Sequence, residues 1–131
     1  MRSALGSRRM RVLVADDDDL VIEVLQVFLT DCGFEVDCAR TGTDAVELGR
    51  RAHPDALICD FAMSDLDGAE VARQLQRDTP DLPVFVTSGH TPGLVRDAAS
   101  GVRHLEVLRK PLDLGALEQA LRCRLHSARV T

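Results

Sequence analysis

Short apolar runs recur along the chain, and most of them end at a polar or charged residue. The runs cover residues 12–15 and 56–59 and most of residues 84–87 and 106–108, and residues 35–39 alternate between apolar and polar side chains. Short runs rich in valine, isoleucine and leucine are typical of strands that are covered on both faces in a parallel sheet. The pattern therefore predicts five strands.

Segments with helical spacing of apolar residues lie between these strands. The predicted helices cover residues 20–31, 43–51, 68–78 and 92–100, and a fifth begins after Asp113. Gly33 is placed to end the first helix, whereas Asp67, Thr91 and Asp113 are placed to cap the third, fourth and fifth. The first helix is apolar almost all round, so we expect it to be mostly covered.

Strands that alternate with helices are typical of an α/β fold with a doubly wound parallel sheet. The sequence therefore predicts one five-stranded parallel sheet with five helices, whose ligands bind beyond the carboxyl ends of the strands. The length of 131 residues fits a single domain, and folding at this length buries about two-thirds of the chain's surface. With 45% hydrophobic residues and no Trp or Tyr, the core must be mainly aliphatic.

Charge is distributed unevenly along the chain. Four of the 16 basic residues lie in the first eleven positions, which leaves 12 basic against 21 acidic residues in the rest, a charge of −9. We expect residues 1–10 to form a flexible basic arm, residues 11–127 the folded domain and residues 128–131 a tail. The acidic body argues against nucleic acid as a direct partner.

Cysteine spacing and hydropathy indicate in which cellular compartment the protein is expected. The four cysteines include no C-x-x-C pair, and no apolar run approaches the ~20 residues that a membrane span requires. We therefore expect reduced thiols, a cytoplasmic location and no membrane partner.

Polar side chains follow four of the five predicted strands. They are Asp16 and Asp17 after the first, Asp60 after the third, Ser88 after the fourth and Lys110 after the fifth. Because the carboxyl ends of parallel strands meet at one edge, these groups should lie close together. Three carboxylates suit Mg²⁺, and a hydroxyl with an ammonium group can hold phosphate oxygens, so the set indicates phosphoryl transfer. Lys110 is also the only lysine among 16 basic residues, which favours a functional role.

Asp18 and Asp19 complete the run of four aspartates. Negative charge is favourable at the amino-terminal end of a helix, so we expect both residues to start the first helix.

Four motifs lie in order at the predicted strand ends: VLVADDDD, LICDFAM followed by DLDG, PVFVTSG, and RKP. Over residues 11–127 the chain thereby resembles the response regulator receiver domains of two-component signalling. The resemblance implies a flavodoxin-like sheet with strand order 2-1-3-4-5 and a cis Lys110–Pro111 bond. It fits a stand-alone receiver or one excised from a hybrid histidine kinase, and Met1 with its short basic arm favours the former.

The resemblance also implies roles for individual residues. Asp60 would accept a phosphoryl group from the phosphohistidine of a histidine kinase or histidine phosphotransfer protein, while Ser88 and Lys110 would contact phosphoryl oxygens. The implied direct Mg²⁺ ligands are Asp17, Asp60 and the backbone carbonyl of Ala62, while Asp16 belongs to the metal site from nearby, often through water. Such a chain is a phosphoacceptor that assists its own phosphorylation and dephosphorylation, not an enzyme. It relays the signal by conformational change or onward phosphotransfer.

Two positions depart from the family's usual pattern, and two others are expected to affect how long the phosphate persists. Ser64 stands where family members usually carry proline, which predicts a less rigid loop after Asp60. Val107 stands where the family's switch aromatic normally couples to the hydroxyl of Ser88, so no ring can report phosphorylation. Ala62 and His90 are expected to tune the lifetime of the phosphate. The face made by the fourth helix, fifth strand and fifth helix would carry the output or a homodimer contact.

Two other functions fit parts of the pattern. Asp16-x-Asp18 with a later serine and lysine also occurs in Mg²⁺-dependent phosphohydrolases of the haloacid dehalogenase type, in which Asp16 would be the nucleophile. A receiver-like binding module that is never phosphorylated is the second alternative.

Overall fold

The structure is a computed structural model that describes residues 9–130, with side chains described for residues 9–126. The predicted basic arm lies almost entirely outside the described residues. At the other end the last helix extends to Val130, beyond position 127, where the predicted domain ends.

Five strands alternate with five helices along the chain. The strands are β1 Arg11–Ala15, β2 Glu35–Ala39, β3 Ala56–Asp60, β4 Val84–Ser88 and β5 Leu105–Arg109. The helices are α1 Asp19–Asp31, α2 Gly42–Ala52, α3 Gly68–Asp78, α4 Pro92–Ala98 and α5 Leu114–Val130. All neighbouring strands pair in parallel, in the order β2-β1-β3-β4-β5. The predicted doubly wound, flavodoxin-like sheet is therefore confirmed.

The hydrophobic core has two layers, one on each face of the sheet. Every residue of β3 and β4 is buried, which explains their continuous apolar sequences. One layer packs α2, α3 and α4 through residues such as Val46, Leu75 and Val95. The other packs α1 and α5 through residues such as Leu29 and Leu121. The two layers hold the carboxyl ends of β1, β3 and β4 side by side.

The helix ends follow the predicted caps with one exception. Asp113 Oδ1 accepts a hydrogen bond from the Ala116 N–H at 3.0 Å, and Asp67 caps α3 in the same way. Gly33 follows α1 with a φ of 100°, a left-handed value that glycine adopts readily. Thr91 occupies the predicted cap position of α4, with Pro92 as the first helical residue, but its side chain makes no capping hydrogen bond.

Helix α1 is not mostly covered, contrary to the prediction. Its buried residues are Ile22, Leu25 and Leu29, which face the sheet. Leu20 is 66% exposed and Val27 is 59% exposed. A helix that packs on only one side of a sheet covers one face, and an all-round apolar sequence does not indicate which residues that face contains.

Two further expectations concern the backbone and the membrane. The Lys110–Pro111 peptide bond is cis, as the resemblance implied. Within residues 9–130, no helix is both long and apolar enough to cross a bilayer.

Candidate functional site

Three carboxylates meet beyond the carboxyl ends of β1 and β3. Asp16 and Asp17 directly follow β1, and Asp60 is the last residue of β3. One oxygen from each of the three lies within 4.8 Å of the others. Asp16 and Asp60 are buried, whereas Asp17 is exposed. The sheet therefore brings together the three acidic residues predicted to form a metal site.

Among the described residues, Lys110 forms ion pairs with two members of this group. Its Nζ lies 3.1 Å from Asp60 Oδ1 and 3.8 Å from Asp16 Oδ2. Partial burial opposes the charge on Lys110, but the hydrogen bond to Asp60 and the negative charges of Asp60 and Asp16 outweigh it and raise the pKa of Lys110. The ammonium group therefore stays charged and offsets part of the local negative charge.

The environment of Asp16 shows that the ionised form of a carboxyl group in this cluster is disfavoured. Burial is the main cause of a raised pKa at Asp16, and the charge of Asp60 adds to it. The N–H of Asp18, which donates to Asp16 Oδ1 at 2.9 Å, and the charge of Lys110 act in the opposite direction. Burying carboxylates close together is unfavourable unless a cation compensates. Oxygen-only ligands of this kind suit Mg²⁺, so the residues present fit that ion.

Ser88 is the last residue of β4, directly after Thr87, which pairs with Asp60 of β3, and it is buried. Its Oγ accepts a hydrogen bond from the backbone N–H of His90 at 2.9 Å. This leaves the hydroxyl proton to be directed toward another acceptor, such as a phosphoryl oxygen. The backbone N–H of Lys110 donates to the Ser88 carbonyl at 2.9 Å, which ties the ends of β4 and β5 together. The side chain of His90 is exposed.

The position expected to hold a switch aromatic is part of the aliphatic core. Val107 lies opposite Val86 in the β4–β5 register and is half-buried against the layer beneath α2, α3 and α4. It therefore contributes packing to β5.

The loop between β3 and α3 carries Ala62, which is exposed two residues after Asp60. Asp65, in the same loop, attaches to the start of α2. Its carboxylate accepts hydrogen bonds from the N–H of Gly42 at 2.8 Å, and from the N–H and hydroxyl of Thr43 at 2.9 and 2.7 Å. No local sequence pattern marks Asp65, because its hydrogen-bond partners lie more than 20 residues away along the chain.

The remaining two aspartates of the first run are at the start of α1, as predicted. Asp18 Oδ1 accepts a hydrogen bond from the Leu20 N–H at 2.9 Å, which caps the helix. Asp19 forms an ion pair with Arg40 at the surface. Neither belongs to the group of three close carboxylates.

Comparisons with known proteins agree with this geometry. Residues 12–122 match the family described as "Response regulator receiver domain". The protein "Response regulator MprA" of Mycobacterium leprae (strain TN) is 38% identical over 116 residues, which are 88% of this chain and 51% of that protein. The chain therefore spans about half the length of this relative.

Solved structures show the same fold. A response regulator receiver protein from Sinorhizobium medicae WSM419 is 29% identical, with a TM-score of 0.82 over 91% of this chain and 96% of that chain. The signal receiver domain of an HD domain-containing protein from Pseudomonas fluorescens Pf-5 has a TM-score of 0.86 at 22% identity, covering 95% and 100% of the two chains. The chain belongs to the response regulator receiver domain family.

Proposed function

We propose that this chain is a phosphoacceptor, and that Asp60 takes a phosphoryl group from the phosphohistidine of a histidine kinase or a histidine phosphotransfer protein. The observation that carries the proposal is the position of Asp60. Its carboxylate lies at the end of a buried strand, 3.1 Å from the only lysine of the chain and next to two further carboxylates. Membership of the receiver family supports the same conclusion.

In the proposed transfer, a carboxylate oxygen of Asp60 forms a bond to phosphorus while the bond between phosphorus and the donor's imidazole nitrogen breaks. The product is an acyl phosphate, and the imidazole leaves with the electron pair of the broken bond. Lys110 is positioned to stabilise negative charge on the transferred group, and the Ser88 hydroxyl can donate to another of its oxygens. Water can later attack the acyl phosphate and return Asp60 to its free form.

Mg²⁺ would be held by the carboxylates of Asp16, Asp17 and Asp60 and by the carbonyl of Ala62. When bound, the ion supplies positive charge that offsets repulsion between the incoming phosphoryl group and the carboxylates. The carboxylates of Asp16 and Asp17 therefore act by holding charge at the site, and Asp60 alone reacts.

The phosphate donor is proposed to dock beside the site, on the exposed apolar face of α1. Leu20 and Val24 line a groove of about 310 Å³ together with Lys110, Pro111 and Leu114. The groove therefore joins an apolar surface to the lysine of the reaction site, and a donor protein seated there would bring its phosphohistidine close to Asp60.

Acetyl phosphate tests the proposal without a protein donor. We expect the wild-type protein to gain one phosphoryl group, detected by intact-protein mass spectrometry, when Mg²⁺ is present. Asp60→Asn should gain none. Asp18→Asn is the matched control, because asparagine caps a helix about as well as aspartate, and it should be modified like the wild type. A wild-type protein that gains no mass would overturn the proposal.

A further inference from the structure

In the loop that follows Asp60, the side chain of Asp65 forms hydrogen bonds with the start of α2. Asp65 accepts three hydrogen bonds from the first turn of α2, at 2.7 to 2.9 Å, from Gly42 and Thr43. Hydrogen bonds from Thr43, Leu66 and Gly42 hold the pKa of Asp65 below its usual range. Negative charge is also favoured at the amino-terminal end of a helix. The ionised carboxylate is therefore well suited to this position.

The same loop lies in direct contact with α2. A Cβ at Gly42 would lie 2.6 Å from the Cβ of Leu66 and 2.7 Å from its carbonyl oxygen, so only glycine fits without a shift. The backbone next to Asp65 is therefore pressed against the start of the helix, and the hydrogen bonds of Asp65 fix it there.

The ends of the loop are fixed independently of Asp65. The Phe61 N–H donates to the Thr87 carbonyl and the Gly68 N–H donates to the Phe61 carbonyl, both at 2.9 Å. In the middle of the loop, the exposed residues Ala62 and Ser64 lie on either side of Met63, whose side chain is buried in the core. Serine does not restrict the backbone as a proline does, so this stretch depends for its position on the packing of Met63 and on the hydrogen bonds of Asp65.

We propose that Asp65 is a positioning residue for the phosphorylation of Asp60. By attaching the loop to α2, it keeps the backbone around Ala62 in the place where the carbonyl can serve as a Mg²⁺ ligand. Asp65 does not touch the reacting atoms. This inference rests on the function proposed above, and it assigns to a carboxylate of the loop the role of holding that loop in place.

The physical expectation is a loss of metal affinity when the attachment is removed. Groups that orient a metal ligand typically change metal affinity or activity by about 10-fold to 100-fold when they are lost. Asp65→Ala should therefore raise the Mg²⁺ dissociation constant by about tenfold, since a backbone carbonyl that moves must be ordered again on binding. Asp65→Asn keeps one acceptor oxygen and should show a smaller rise.

Thr41→Ala is the matched control. Thr41 Oγ1 accepts a hydrogen bond from the Asp44 N–H at 3.0 Å, so it caps the same end of α2 through a hydrogen bond that does not involve the loop. A merely structural role for Asp65, as a cap of α2, predicts equal effects of Asp65→Ala and Thr41→Ala. A positioning role predicts that only Asp65→Ala weakens Mg²⁺ binding.

Three measurements on the whole chain decide the matter. Calorimetry gives the Mg²⁺ dissociation constant, acetyl phosphate uptake gives the Mg²⁺ concentration for half-maximal rate, and hydrogen exchange without Mg²⁺ reports the mobility of residues 61–66. We expect all three to change in Asp65→Ala and none to change in Thr41→Ala. If Asp65→Ala fails to fold, Thr43→Val removes the hydroxyl bond alone and should change the same quantities in the same direction.

The outcomes separate this inference from the proposed function. A wild-type protein that takes up phosphate with Mg²⁺, together with an Asp65→Ala variant of unchanged Mg²⁺ affinity, would overturn the positioning role and leave the phosphoacceptor function intact. Equal losses in Asp65→Ala and Thr41→Ala would also overturn it. A wild-type protein that neither binds Mg²⁺ nor takes up phosphate would overturn the proposed function and the inference with it.

Discussion

Lys110 is expected to stabilise the protein when no Mg²⁺ is bound, because its ammonium group forms ion pairs with two carboxylates of the acidic group. Its Nζ lies 3.1 Å from Asp60 Oδ1 and 3.8 Å from Asp16 Oδ2. At an effective dielectric constant near 20, these distances correspond to attractions of about 5 and about 4 kcal/mol. The Lys110 side chain is 34% exposed, so water reduces both values, and a carboxylate left without its partner can bind a proton. We therefore expect Lys110→Met to lower the free energy of unfolding by about 2–4 kcal/mol.

The assay is urea denaturation without Mg²⁺, followed by far-UV circular dichroism because the chain has no Trp or Tyr. Arg109→Met removes a neighbouring cation that is exposed, and it should change the free energy of unfolding by no more than about 0.5 kcal/mol. Added Mg²⁺ should recover more stability in Lys110→Met than in the wild type, since the ion replaces the missing charge. A Lys110→Met variant as stable as the wild type, or one no less stable than Arg109→Met, would refute this reasoning.

Three further results are expected. Gly42→Ala should lower the free energy of unfolding by about 1–3 kcal/mol, because its Cβ would meet Leu66 at 2.6 Å, whereas Gly89→Ala, with open space around it, should have little effect in the same urea assay. The pKa of Asp65 is lowered in the folded protein, so its contribution to stability is present above the ordinary value of 3.8 and lost as the pH falls. Urea denaturation should therefore show wild type more stable than Asp65→Asn near neutral pH, with the difference shrinking in acid, and a constant difference would count against this. His90→Ala should change the decay rate of the acyl phosphate measured by mass spectrometry, and an unchanged rate would remove His90 from the site.

The strands and the residues at their ends could be predicted because their signals are local. A central strand covered on both faces is apolar along most of its length, so β3 and β4 are marked by their own sequences. The topology of a parallel sheet then places Asp60, Ser88 and Lys110 at one edge without further information. The order of the strands needed the resemblance to the family in addition.

Other features depend on contacts between distant parts of the chain. The exposed face of α1 was predicted to be covered, because an all-round apolar helix resembles a buried one until its neighbours are known. Thr91 has the residue type of a helix cap but makes no capping bond with its side chain. Asp65 is an ordinary loop aspartate in the sequence, and its importance comes from partners on α2 that only the fold brings near.

The identity of the phosphorylated residue is the central claim, and it can be measured directly. Wild-type protein would be incubated with acetyl phosphate and Mg²⁺, the acyl phosphate reduced with borohydride, and the modified residue located by peptide mass spectrometry. Modification at Asp60 is the predicted result. Modification at Asp16 would contradict the account, because it would make the first strand's aspartate the nucleophile, as in a phosphohydrolase of the haloacid dehalogenase type.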